Sequence, residues 1–168
     1  QTIDYDMGTQ ARNIRKRQSV PSGHDPAMYI TRRITAVSHD GAEVPVSVLH
    51  HRDTPLDGSA PVLLYGYGSY GITIPASFSV TRLSLVDRGF IYAIAHIRGG
   101  KARGHSWFTQ GRGAQKTNSF EDFATTARAL IARGWTQPGN ITVHGGSAGG
   151  LLARSRSALE ASRLRLQS

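Results

Sequence analysis

The sequence predicts an α/β fold built on a parallel sheet, and three observations carry that expectation. The short runs VLLYG (62–66), FIYAIAHI (90–97) and NITVHG (140–145) are apolar on both faces, as strands covered on both sides by helices must be. Helical patterns over 77–88 and 119–133 alternate with them, the order that produces βαβ units. Gly89 and Gly134 stand where each helix should stop.

Residues 1–27 are polar and Arg-rich, with a short alternating start at Ile3 and Tyr5 and the turn-forming stretch VPSGHDPA at 20–27. They read as the end piece of another unit. In YITRRITAVSHDGAEVPVSVLHH two β-rich runs flank His39-Asp40-Gly41, which predicts a hairpin, and TPLDGSAP (54–61) is a loop. In the first helix Phe78, Arg82, Leu85 and Val86 follow the i, i+4, i+7, i+8 spacing of one buried stripe. In the second, Asn118 or Ser119 is the expected cap, and Glu121 and Asp122 are expected in the positive first turn. Phe120, Phe123, Ala127, Leu130 and Ile131 form its stripe. The intervening segment 98–117 has no periodicity of its own. It leaves the C-terminal end of a strand, the edge where open parallel sheets bind ligands, so it reads as a functional loop.

At 168 residues and 39% hydrophobic composition the chain can bury a core of its own. No apolar run reaches membrane-spanning length, and QTIDYDMGTQARNIRKRQ lacks the order of a secretory signal, so a cytoplasmic protein without a membrane partner is expected. The absence of cysteine excludes disulfides, thiolate zinc sites and a cysteine nucleophile. A formal charge of +9 raises the possibility of a nucleic-acid partner. The basic residues are nevertheless dispersed. RNIRKR (12–17) reads as a solvated turn and HIRGGKARG is far from a low-complexity RGG tract, so no nucleic-acid partner is expected. The excess basicity points instead to an acidic remainder outside this sequence.

The stretch NITVHGGSAGGLL (140–152) carries the chemistry. Gly145, Ser147 and Gly149 satisfy G-x-S-x-G, a pattern that 19 glycines and 16 serines in 168 residues would produce about 0.2 times by chance. Context strengthens it, because a strand runs straight in and an apolar helical run leaves, while Gly146 and Gly150 add room. A serine on such a strained strand-to-helix turn presents its hydroxyl to a cleft, provided no β-carbon two residues away obstructs the backbone. Ser147 is then a candidate nucleophile, and the Ala148 N–H at the helix start faces the developing oxyanion. The plain alternative is a glycine-rich turn with a capping serine.

GYGSYG (66–71) fits the dinucleotide fingerprint G-x-G-x-x-G after a strand. Pro75, however, delays the helix, and the acidic residue about twenty positions on, Asp87, falls in a last helical turn rather than at a strand end. No cofactor is expected. No metal is expected either, because His50 and His51 point to opposite strand faces and the remaining histidines show no ligand spacing.

The segments RKRQSVPSGHDP, HDGAEVPVSVLHH, DTPLDGSAPVLLYGYGSYG, LVDRGFIYAIAHIRGG, KTNSFEDF and GGSAGGLL, in this order and spacing, resemble the prolyl oligopeptidase family of serine peptidases, and within it the oligopeptidase B branch. The resemblance covers nearly all of residues 1–152. It implies a partial α/β-hydrolase: an N-terminal hairpin, then parallel βαβαβ up to the nucleophile elbow, preceded by the end of a β-propeller. The implied domains are 1–30 as propeller end and linker, 31–152 as the N-terminal part of the peptidase domain, and 153–168 as an Arg/Ser-rich tail outside the family pattern. By position, Ser147 is the implied nucleophile, the Ala148 N–H and the Tyr67 O–H the implied oxyanion hole, and Tyr70 a wall of the specificity pocket. The implied substrates are short peptides cleaved after Arg or Lys. Prolyl or acyl-aminoacyl preference is the nearest alternative, and a non-catalytic remnant that binds peptides or nucleic acid the more distant one.

ARSRSALEASRLRLQS, from Ala153 onward, departs from the family and is expected to reflect a shifted reading frame or truncation. Hydrolases of this fold order their triad Ser, Asp, His, yet all seven histidines precede Ser147. The 168-residue chain alone is therefore expected to be inactive or nearly so, and unstable.

Overall fold

The computed structural model describes residues 1–21, 23–155 and 160. A small antiparallel pair, β1 (Thr2–Tyr5) and β2 (Arg12–Lys16), stands apart from the main sheet, and every residue in it is exposed. Its start is where the sequence alternated. The rest is one five-stranded sheet with the strands β3 (Tyr29–Val37), β4 (Glu43–His51), β5 (Val62–Gly66), β6 (Ile91–Ala95) and β7 (Ile141–His144) in the order β3-β4-β6-β5-β7. β3 and β4 form the expected hairpin, β4 pairs antiparallel with β6, and β5, β6 and β7 are mutually parallel through β5.

Both faces of β6 are buried along all five residues, so its run could not alternate. Val62 and Leu64 of β5 pack with Val44, Val46 and Val48 of β4 against α3 (Thr117–Ala132), whose Phe123, Ala127 and Leu130 are sealed from solvent. Burying each such side chain contributes about 1.5–3 kcal/mol. On the opposite face Val86 of α1 (Val80–Val86) meets Tyr92 and Ile94. Gly89 ends α1 at φ 88 and Gly134 follows α3 at φ 69, conformations that cost glycine little.

The helices differ from the sequence reading at their starts. α1 begins at Val80, with Phe78 outside it and exposed; Ser79 before it is extended and makes no side-chain cap bond. α3 begins at Thr117 with Lys116 as its cap residue, so Glu121 and Asp122 lie beyond the first turn. Neither expected cap works as one: Asn118 donates its amide to the Gln110 carbonyl and the buried Ser119 hydroxyl donates to the Arg98 carbonyl. The segment 98–117 is not a bare loop. It holds α2 (His105–Thr109), which has too few residues to show a period, and a 3-10 turn at Gly113–Gln115.

The parallel strands β5, β6 and β7 release their chains at one edge, as Tyr67, Arg98 and Ser147. Most of the tail expectation, residues 156–159 and 161–168, lies outside the described residues.

Candidate active site

After β7 the chain turns through Gly145 and Gly146 into a 3-10 turn, Ser147–Gly149, which continues as α4 (Gly150–Ala153). Ser147 adopts φ 53 and is exposed. A non-glycine residue pays about 1–2 kcal/mol for this left-handed backbone, a strain held here by packing on both sides. A β-carbon on Gly145 would lie 2.0 Å from the Gly149 carbonyl oxygen, and one on Gly149 would lie 2.8 Å from the Gly66 carbonyl oxygen and 3.2 Å from the Tyr67 α-carbon. These two glycines let backbone touch backbone. Gly146 and Gly150, read from the sequence as members of the same set, are different: a β-carbon on Gly146 meets nothing within 4 Å, and one on Gly150 reaches ordinary contact at 3.5 Å. Leu152, fully buried against the α3 side of the sheet, anchors the segment that follows. Ala148 occupies the second position of the turn, where a backbone N–H has no intrahelical acceptor.

Tyr67, half-buried, leaves β5 directly beside this elbow, as the Gly149 approach shows. Tyr70 is 75% exposed with φ 56, on the rim of the same loop. The loop does not open a helix at Gly71, and the chain stays irregular up to Ser79, so the spatial arrangement of a dinucleotide fingerprint is not formed.

Three features of the site escaped the sequence reading. The first is backbone stacking: a β-carbon on Gly99 would lie 2.0 Å from the Gly68 carbonyl oxygen, and one on Gly111 would lie 2.1 Å from the Gly99 nitrogen. Segment 98–117 thus lies directly on the Tyr67 loop, and the Gly71 N–H donates to the Gly99 carbonyl at 2.9 Å. The RGG glycines were the available signal.

The second is a buried ion network. Arg98 is 2% exposed and Asp122 is 0% exposed. The Asp122 carboxylate accepts from the Arg98 backbone N–H (3.0 Å), its Nε (2.9 Å) and its Nη2 (2.6 Å), and from the Ser38 hydroxyl (2.7 Å). Arg98 Nη1 also donates to Asp40, whose carboxyl is held down at about 2 by that bond. Asp122, expected to serve a helix dipole, instead fixes the root of the 98–117 segment. The third is Lys116, half-buried, whose Nζ donates to the Gly68 carbonyl and to Ser69 Oγ at 3.0 Å.

The histidines are occupied elsewhere. His96 Nε2 meets Ser47 Oγ at 2.9 Å, and burial, with help from the Arg33 charge, pushes its pKa down to about 4. The buried His50 bonds the His51 carbonyl at 2.8 Å, and the His144 ring packs on Tyr65. No bond joins any of the seven to Ser147 among the described residues, and no group of three His, Cys, Asp or Glu side chains converges there on a metal-sized site.

The model of the prolyl oligopeptidase family matches residues 76–162, more than half of the chain, and the match runs through the elbow and past Leu152. The chain belongs to the prolyl oligopeptidase family. These serine peptidases include dipeptidyl aminopeptidase BI of Pseudoxanthomonas mexicana, 41% identical over 152 residues, and protease 2 of Moraxella lacunata, 32% identical over 151 residues. Each alignment takes in 90% of this chain, and 21% and 22% of the relative respectively, so the chain spans about a fifth of the length of these curated relatives. Oligopeptidase B from Trypanosoma brucei, solved in a closed form with covalently bound antipain, superposes with a TM-score of 0.82 at 42% identity over 89% of this chain and 21% of that one. The mixed sheet and its helices are those of the family's α/β-hydrolase domain, in part. No helix of the described residues is long and apolar enough to cross a membrane.

Proposed function

We propose that this chain carries the nucleophile side of a serine peptidase that cleaves short peptides after Arg or Lys, in the manner of oligopeptidase B, through an acyl-enzyme on Ser147. The observation that carries the reading is the left-handed, exposed Ser147, held between two glycines whose β-carbons would strike backbone. A strained residue at the carboxyl edge of a parallel sheet, with its side chain free to solvent, is built to present that side chain.

In this reading Ser147 Oγ attacks the scissile carbonyl, forming a C–O bond. The hydroxyl proton passes to a histidine base and from it to the leaving amine as the C–N bond breaks. Negative charge on the carbonyl oxygen is met by the Ala148 N–H and the Tyr67 O–H, with Tyr70 a wall of the specificity pocket. No bond joins any of the seven histidines to Ser147 among the described residues, and the base and its Asp orienter in this reading are supplied from outside these residues. The chain alone is then catalytically silent. Residues 31–152 supply the first part of the peptidase domain, 1–30 close a propeller and link to it, and the whole works in the cytoplasm on soluble peptides.

Reporter peptides test the assignment. A protein carrying these residues at the full length of its relatives is expected to cleave after Arg and Lys faster than after Pro or from a free-amine dipeptide, and to lose that activity with Ser147→Ala. Preference for the Pro or the dipeptidyl reporter would overturn the specificity; activity surviving Ser147→Ala would overturn the mechanism.

A further inference from the structure

We propose that Lys116 is a positioning residue for the candidate oxyanion loop, holding Gly68 and Ser69 so that Tyr67 keeps its place beside the elbow; this rests on the peptidase reading of Ser147. Lys116 is placed where an ammonium gains little by default. It caps the N-terminus of α3, the end whose partial charge is already positive. It is half-buried, and burial lowers its pKa. Neutral acceptors compensate: the Gly68 carbonyl, Ser69 Oγ at 3.0 Å and Ser119 Oγ at 3.4 Å.

Those acceptors belong to the two segments that meet at the site. The Ser119 hydroxyl donates a hydrogen bond to the Arg98 carbonyl at 2.7 Å, and Gly68 is the residue directly after Tyr67. At the other end of the same loop the Gly71 N–H is tied to the Gly99 carbonyl, and the Ile72 N–H closes a turn on the Ser69 carbonyl at 3.0 Å. The loop is tied at Gly71 by a backbone bond and at Gly68 by the Lys116 ammonium, where it also packs closely on Ile97 and Gly99. Tyr70 between them carries a left-handed φ of 56 and is 75% exposed, so it adds little burial to hold the segment. The Lys116 ammonium is the polar cross-tie from α3 to the residues that directly follow Tyr67.

Two arms test this. In the 168-residue chain, Lys116→Met keeps the volume but removes the donors, and amide exchange at Gly71 and Ile72 should quicken about 10- to 100-fold, the worth of a charge-assisted hydrogen bond. Exchange at Leu130, in the α3 core, should not change. The sequence has no cysteine, so Lys116→Cys treated with 2-bromoethylamine restores an ammonium at this position alone and should restore protection. In an active full-length protein, Lys116→Met should lower kcat about 10²-fold with KM nearly unchanged. Combined with Tyr67→Phe it should lower kcat no further than the worse single variant, because both act through one group. Unchanged exchange at Gly71 and Ile72, failure of the alkylated variant to recover protection, or additive losses in the double variant would overturn the proposal. Activity that survives Ser147→Ala would instead remove the peptidase reading, and the exchange arm would still judge Lys116 as the tie of this loop.

Discussion

Asp122→Asn is the most informative single change in the core. Each Asp122 carboxylate oxygen receives two donors: Oδ1 takes Ser38 Oγ and Arg98 Nη2, and Oδ2 takes the Arg98 N–H and Nε. An asparagine must place its NH2 on one side or the other: on the Oδ2 side it faces two Arg98 donors, and on the Oδ1 side it faces Arg98 Nη2, the Ser38 hydroxyl being able to turn and accept. Arg98, 2% exposed, then keeps only Asp40 as a counter-charge. Removing one partner of a buried pair costs about 3–5 kcal/mol. With a urea slope of about 2 kcal/mol/M for a chain of this size, the unfolding midpoint should fall by about 1.5–2.5 M. The assay is urea unfolding followed by the fluorescence of the buried Trp107, whose indole N–H bonds the His96 carbonyl beside this network. Combining Arg98→Met with Asp122→Leu removes both charges and should recover much of the loss, since an apolar pair of similar volume often matches a buried ion pair. A midpoint shift below about 0.5 M for Asp122→Asn, or a double variant weaker than either single one, would refute this account of how the 98–117 segment is rooted.

Gly145→Ala should destabilise the chain by more than about 2 kcal/mol, since its β-carbon would lie 2.0 Å from a carbonyl oxygen, whereas Gly146→Ala should change stability by less than about 0.5 kcal/mol; thermal unfolding of the pair checks both. His96 is neutral in the fold, with a pKa of about 4 against an ordinary 6.5, so the unfolded chain takes up the proton first as pH falls. Stability should therefore decline between about pH 6.5 and 4, by at most about 3 kcal/mol, and His96→Gln should flatten that decline in urea titrations at stepped pH.

Much of the fold was legible because the signals were local. Strand β6 showed itself as an apolar run since both its faces are covered, and the hairpin at His39-Asp40-Gly41 showed itself through its turn residues. The elbow was legible for the same reason: Gly145 and Gly149 are required by contacts within five residues and with the adjacent strand end. What stayed hidden depends on distant partners. Asp122 looks like a first-turn acid until Arg98, 24 positions earlier, is folded against it. Ser119 looks like a cap until the Arg98 carbonyl arrives, and Lys116 like a surface lysine until Gly68 and Ser69 close over it. α2 was missed because five residues cannot display a helical period. Phe78 was misplaced because its spacing fitted a stripe that the backbone does not continue.

The account depends on Ser147 being the one serine presented for attack. Treating the full-length protein with a fluorophosphonate and mapping the adduct by peptide mass spectrometry measures this directly. A single adduct on the peptide that contains Ser147, lost with Ser147→Ala and slow to form in the 168-residue chain alone, is the result predicted. An adduct on another serine, or none on Ser147 in a protein that still cleaves peptides, would contradict it.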